Sequence, residues 1–242
     1  MKKIASFLLL AAMAFMPAKK KITIWMIGDS TMAKKEPKAF PETGWGMEFQ
    51  PFFDADATVD DRALNGRSTK SFLNEGRWKP IMENMKEGDY VFIEFGHNDE
   101  KVDKPSTGVS LDSFRILLAK YVMDTRSKGG IPILMTPVTR RSFKDGVLTD
   151  SHGGYPDVTR RLADSLHVPL IDMLKKSSAV VSAMGDEPSK ALYNYVDSGN
   201  VNYPKGQKDN THFSPAGAKK MAELAAQGVK ELNLPLAEYL KK

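Results

Sequence analysis

The chain of 242 residues contains no cysteine. That absence excludes a disulfide framework, a thiolate zinc site, an iron–sulfur cluster and a thiol nucleophile. Histidine is scarce too. The four histidines, His97, His152, His167 and His212, are scattered, with no H-E-x-x-H and no two-residue ligand spacing, so no metal is expected. No G-x-G-x-x-G follows the first strand-like run and no Walker A loop is present, so no nucleotide cofactor is expected either. Charge of one sign is also in short supply. With 35 basic against 30 acidic residues the formal charge is +5, and +3 without Lys2 and Lys3. Such a balance is compatible with a polyanionic substrate and far too weak to argue for nucleic acid. No linker rich in Pro, Gly or Ser divides the chain, and no internal repeat is visible. The 41% hydrophobic and 27% charged content is that of an ordinary globular domain.

Only one long hydrophobic run occurs, at the N-terminus. Residues 1–18 read MKKIASFLLLAAMAFMPA, a short basic region followed by an apolar stretch and small residues. This pattern predicts a secretory signal peptide, with Ala12-Met13-Ala14 as one A-x-A cleavage site, and hence a secreted or periplasmic protein. The run is short for a permanent span, although Lys19, Lys20 and Lys21 would also suit an uncleaved anchor. A lipoprotein anchor would need a cysteine. Residues 19–242 are read as a single domain without a membrane span, and a monomer is expected.

Short apolar runs at Ile22–Ile27, Tyr90–Phe95, Ile131–Met135 and Val168–Ile171 predict strands buried on both faces, with a weaker one near Ala57–Leu64. Helical spacing is clearest over 111–126, where Leu111, Phe114, Leu117, Leu118, Tyr121 and Val122 recur at three- and four-residue steps before Gly129-Gly130. Asp157–Leu166 and Pro215–Leu232 are further helical candidates. Strands alternating with such helices predict an α/β domain with a mainly parallel sheet covered on both faces. Folds of this kind bind ligands beyond the carboxyl ends of their strands.

The polar residues placed there are Gly28-Asp29-Ser30 after the first run, Asn65-Gly66-Arg67-Ser68 after the second and Gly96-His97-Asn98-Asp99 after the third. A fourth group, Asp209-Asn210-Thr211-His212, precedes the last helix. A serine becomes a competent nucleophile when a base takes its proton and a third group holds that base. Ser30, His212 and Asp209 have the required chemistry. The backbone amides of Ser30 and Gly66 and the Asn98 side chain can supply oxyanion donors. Each element alone has a plain alternative: Asp29 or Ser30 as a helix cap, Gly66 as a turn residue, Asn98 in an Asx-turn.

Taken together, GDSTM, NGRSTKSF, FIEFGHND and DNTHFSPAGA resemble the four blocks of the SGNH (GDSL-type) hydrolases. More narrowly they resemble the rhamnogalacturonan acetylesterase group, family twelve of the carbohydrate esterases. The resemblance runs from about residue 22 to 232. It implies a flavodoxin-like three-layer α/β/α sandwich, with Ser30 as nucleophile, His212 as general base then acid, and Asp209 as the orienting carboxylate. It also implies Ser30 N–H, Gly66 N–H and Asn98 as the oxyanion hole. The expected reaction is removal of O-acetyl groups from a wall polysaccharide, foremost acetylated rhamnogalacturonan. Alternatives are a broader acyl hydrolase acting on xylan acetates, aryl esters or lipids, and a non-catalytic carbohydrate-binding relative. The G-x-S-x-G elbow of the α/β-hydrolases is absent around Ser30.

Four further residues are candidate substrate contacts. His152 and Tyr155 lie in a polar stretch after the fourth strand and are expected to overhang the cleft. Arg140 and Arg141 are expected to face a uronate carboxylate, with solvated surface charge as the alternative. His97 is expected to bond nearby backbone and hold the Asn98 loop, and His167 to be structural.

Overall fold

A computed structural model describes residues 19–241. The signal peptide expected over 1–18 lies outside the described residues. Among the described residues no helix is long and apolar enough to cross a membrane. The strands are β1 (Ile22–Gly28), β2 (Ala57–Asp61), β3 (Tyr90–Glu94), β4 (Ile131–Met135), β5 (Phe143–Lys144), β6 (Val147–Leu148), β7 (Leu170–Ile171), β8 (Tyr193–Val196) and β9 (Gln207–Phe213). The helices are α1 (Thr69–Asn74), α2 (Trp78–Asn84), α3 (Leu111–Ser127), α4 (Tyr155–Ser165), α5 (Met173–Met184), α6 (Asp186–Ser189) and α7 (Pro215–Glu231).

The central sheet has the order β2-β1-β3-β4-β7 and all its pairings are parallel. This is the flavodoxin-like order, and it reverses direction between β1 and β3. Alternation along the strands feeds two cores. Ile24, Met26, Tyr90, Phe92, Ile133 and Met135 point to one face, with residues of α5 and α7. Trp25, Ile27, Val91, Ile93 and Leu134 point to the other, with residues of α1 to α4. Both faces are covered, which is why these strands read as unbroken apolar runs. The result is a three-layer sandwich.

Helix α3 starts where Ser110 caps the Ser113 amide, and it buries Phe114, Leu118, Tyr121, Val122 and Thr125 along one stripe. The edge strand is shorter than the run Val168–Ile171 suggests. His167 takes a left-handed backbone (φ 49°) at the end of α4, and Pro169 has no N–H to give, so the ladder begins at Leu170. β2 likewise stops at Asp61, although Leu64 N–H still donates to the Gly28 carbonyl at 3.2 Å. Small antiparallel ribbons, β5-β6 and β8-β9, are appended to the parallel sheet.

Ribbon β8-β9 leads directly into α7. Ser214 caps that helix through the Gly217 amide, and Pro215 occupies its first turn. A Cβ on Gly217 would lie 1.7 Å from the Leu192 carbonyl oxygen, so only glycine lets α7 approach the segment before β8 this closely. Gly217→Ala is therefore expected to destabilise the fold by about 1–3 kcal/mol through overpacking. Denaturant titration measures this; an unchanged midpoint would show that the two segments are free to separate.

Candidate active site

β1 and β3 are neighbours in register, Gly28 beside Glu94, so the chain segments that follow them emerge together. Ser30 comes two residues after β1. Asp209 and His212 come from β9. Their side chains meet in one chain of contacts: Ser30 Oγ lies 2.8 Å from His212 Nε2, and His212 Nδ1 lies 2.7 Å from Asp209 Oδ2. Asp209 Oδ1 also accepts from the backbone amides of Thr211 (2.7 Å) and His212 (3.0 Å). Burial pushes the Asp209 carboxyl up, but the hydrogen bond and charge of His212 with these amides outweigh it and hold it at about 2. Asp209 is thus an anion fixed against one imidazole nitrogen, leaving the other to face the serine hydroxyl.

Gly66 and Asn98, two of the candidate oxyanion donors, come from the loops after β2 and β3. Gly66 has φ 77°, a left-handed conformation natural to glycine. Neither its amide nor that of Ser30 has an acceptor among the described residues. Asn98 Nδ2 donates to the Arg67 carbonyl at 3.0 Å, and Lys101 Nζ donates to Asn98 Oδ1 at 2.7 Å. An ammonium can only donate and a carbonyl only accept, so the orientation of the Asn98 amide is determined. One of its N–H bonds remains for a ligand. The same two loops are tied again by Asp99, which accepts from Thr69 N (2.9 Å) and Thr69 Oγ1 (2.5 Å) at the start of α1.

Beneath the serine lies a bed of buried polar groups. Asp29 Oδ1 accepts from Thr31 N and Thr31 Oγ1, both at 2.9 Å. Glu94 accepts from Trp45 Nε1 at 2.7 Å and from the Val138 amide at 3.2 Å. Burial, then the nearby Asp29, raises Glu94 to about 8, while burial raises Asp99 to about 7. Lys35, whose side chain is 2% exposed, bonds the Ser30 carbonyl (2.5 Å), Asn65 Oδ1 (2.8 Å) and Glu42 Oε1 (2.7 Å). It braces the nucleophile loop from below. Sequence reasoning missed Lys35, Glu42 and Lys101 and gave Asn65 no role of its own; Lys35, Asn65 and Lys101 stand close in the chain to Ser30, Gly66 and Asn98, whereas no local signal pointed to Glu42.

Ser30, Gly66, Asn98, Lys101, Arg140 and His212 face one open pocket of about 440 Å³. A second cavity of about 460 Å³, between β7, α5 and α7, gathers none of these groups. Three expected substrate contacts lie elsewhere. His152 is 1% exposed; its Nδ1 meets Glu100 at 2.8 Å and its Nε2 meets the Val138 carbonyl at 2.9 Å. Tyr155 is buried and donates to the Val109 carbonyl at 2.5 Å. Arg141 is buried and spent on Asp186, Tyr195 and Asn210, so it clamps β9 rather than reaching a ligand. Arg140 does line the pocket, with its charge paired to Glu100 at 2.5 Å. His97 departs from expectation as well. Neither ring nitrogen has a hydrogen-bond partner among the described residues, and the ring packs edge-on against His152 with centroids 4.6 Å apart. Burial, then the neighbouring His152 and Arg140, holds its pKa well below that of a free imidazole, so it is a poor base.

The chain is similar to proteins of known family. The GDSL-like lipase/acylhydrolase family matches residues 26–220. The rhamnogalacturonan acetylesterase RhgT of Bacillus subtilis is 40% identical over 92% of this chain and 95% of its own length. A probable rhamnogalacturonan acetylesterase of the same organism, YesY, is 34% identical over 90% of this chain and 97% of its own. Among solved structures, Bacillus subtilis YxiM superposes with a TM-score of 0.76 at 26% identity, over 89% of this chain and 58% of that one. The acetylxylan esterase Axe2 of Geobacillus stearothermophilus shares the fold, with a TM-score of 0.64 at 18% identity over 94% of this chain and 100% of that one. The chain belongs to the GDSL-like lipase/acylhydrolase family, whose members hydrolyse carboxylic esters.

Proposed function

We propose that the protein is a serine esterase that removes O-acetyl groups from a galacturonate-containing polysaccharide, acetylated rhamnogalacturonan, through an acyl-enzyme. The observation that carries this reading is the unbroken relay Asp209–His212–Ser30, with contacts of 2.7 and 2.8 Å, beside three donors with a free N–H. In the first step His212 Nε2 takes the Ser30 proton as Oγ bonds to the acetyl carbonyl carbon. The Asp209 anion stabilises the imidazolium so formed. The carbonyl oxygen becomes an oxyanion among Ser30 N–H, Gly66 N–H and Asn98 Nδ2, and one such donor supplies about 10²–10³ in kcat. Collapse breaks the ester bond, and His212 returns the proton to the departing sugar oxygen. Water, deprotonated by His212, then attacks the acetyl-serine; acetate leaves and the Ser30 hydroxyl is restored.

Identity of 40% to an enzyme named for rhamnogalacturonan supports the pectic substrate over xylan. The pocket supports a glycan over a lipid: its wall carries Asn65, Asn98, Lys101, Arg140 and Thr211, where an acyl chain would want apolar side chains. The leader-like segment 1–18 supports action outside the cytoplasm, where such polymers occur.

Ser30→Ala is expected to lower acetate release from acetylated rhamnogalacturonan and from an aryl acetate by several orders of magnitude, with the thermal unfolding midpoint kept. Turnover equal to that of the parent would end the serine-esterase reading. A parent that prefers acetylated xylan would overturn the pectic substrate.

The pH profile follows from the triad. Asp209, held at about 2, stays ionised through the acid range, so loss of its charge does not disable the relay as pH falls. On the acid side log(kcat/KM) is expected to fall with a slope of about one. A slope of about two would show a second titrating group in the relay, and a rate rising toward acid pH would contradict a histidine base.

A further inference from the structure

We propose that Lys101 is the subsite for a carboxylate on the sugar that carries the ester, and that it links this contact to the oxyanion donor Asn98. The inference rests on the polyuronate reading above and names the residue that recognises the uronate.

Of the cations at the pocket, Lys101 is the one that makes no ion pair among the described residues. Arg140 is paired with Glu100 at 2.5 Å. Lys35 is paired with Glu42, and its two other short contacts take the Ser30 carbonyl and Asn65 Oδ1. An ammonium has three donors, so Lys35 has none left. Lys101 has one hydrogen bond, 2.7 Å to the neutral Asn98 amide oxygen, and makes no ion pair among the described residues. Two of its donors remain, and the side chain lines the same pocket as Ser30 and His212. Burial, then repulsion from Arg140 and Lys104, lowers the Lys101 pKa, and the more weakly acting carboxylates of Asp29 and Glu100 offset this only in part. A cation held at such a cost gains from an anionic ligand, because an opposite charge offsets both effects.

The location gives that contact a second consequence. Lys101 and the oxyanion sit on opposite ends of one amide: the ammonium bonds Oδ1 while Nδ2 faces the reaction. A cation on the oxygen draws electron density from the nitrogen and strengthens its N–H as a donor. A galacturonate acetylated on its ring carries ester and carboxylate on the same sugar. One residue thus anchors the carboxylate and orients the group that meets the carbonyl oxygen. A xylose ring has no carboxylate to offer, so this position distinguishes pectic from xylan acetates. Lys101 is a compact point charge with rotatable donors, and it accepts a carboxylate without the fork geometry an arginine demands.

The test compares acetate release from two small substrates that differ in charge and by one methyl group: an acetylated methyl galacturonide as the free acid, and its methyl ester. For the parent, kcat/KM should favour the free acid by about tenfold or more, the effect of one charge-assisted hydrogen bond, and the preference should shrink as salt is added. In Lys101→Met the ratio should fall to about one, while Lys101→Arg should keep a preference for the acid. Because each ratio is taken within one variant, a general loss of activity does not mimic the result. An unchanged ratio in a folded Lys101→Met would overturn the subsite. Should that variant fail to fold, the parent decides: a salt-insensitive ratio, or equal turnover of the two galacturonides, overturns it. A parent that hydrolyses an aryl acetate but neither galacturonide would refute the pectic substrate, and the subsite with it.

Discussion

The parallel pairing of β1 with β3, Gly28 beside Glu94, is the constraint on which the site depends. These strands lie side by side at the point where the sheet reverses its order, and the connections leaving them run to opposite sides. The crevice between them receives Ser30 from one strand and Asn98 from the other. β2, hydrogen-bonded to β1 on its far side, delivers Gly66 to the same edge. Three of the four groups proposed for catalysis are thus placed by sheet topology before any side chain contact is considered. The fourth group is placed differently. Asp209 and His212 ride on an antiparallel ribbon outside the sheet, fixed by the Arg141 clamp at Asn210 and by the capped start of α7.

Holding Ser30 at this edge has a cost in buried polar groups. Asp29, Glu94 and Asp99 are almost wholly enclosed, and Asp29 Oδ2 and Asp99 Oδ2 have no partner among the described residues. Such groups destabilise a core unless hydrogen bonds answer them. Thr31, Trp45, Thr69 and the Val138 amide do so in part. The same contacts hold the Ser30 and Asn98 loops at fixed positions, which is what a preorganised oxyanion site requires. The unsatisfied carboxylate oxygens mark where stability yields to that placement.

Most of the sheet, and the residues that meet at its carboxyl edge, were legible in the chain. A strand buried on both faces must be apolar throughout, so ITIWMI and YVFIEF announced themselves, and the polar residues beyond their ends had only one place to be. Short helices such as α1 carry too few turns to show a stripe, and β7 was overread because the apolar run VPLI was taken whole, although Pro169 within it argues against a strand there. Side chain direction in loops was not legible at all. Arg141 turns to Asp186, 45 residues on; His152 to Glu100, 52 residues back; Tyr155 to Val109, 46 residues back. No local pattern encodes such partners. The bracing by Lys101 and Lys35 was hidden for the opposite reason: lysines three and five residues from a catalytic group look like ordinary surface charge until the turn folds them inward.

The central claim is that Ser30 carries the acyl group in turn. Rapid quenching of the enzyme during turnover of an activated acetyl ester, followed by peptide mass spectrometry, tests it most directly. One acetyl group should appear on the peptide containing Ser30, and it should persist longer when the water-activating step is slowed at acid pH. An enzyme that turns over the ester at full rate while acetyl accumulates on another residue, or on none, would contradict the mechanism.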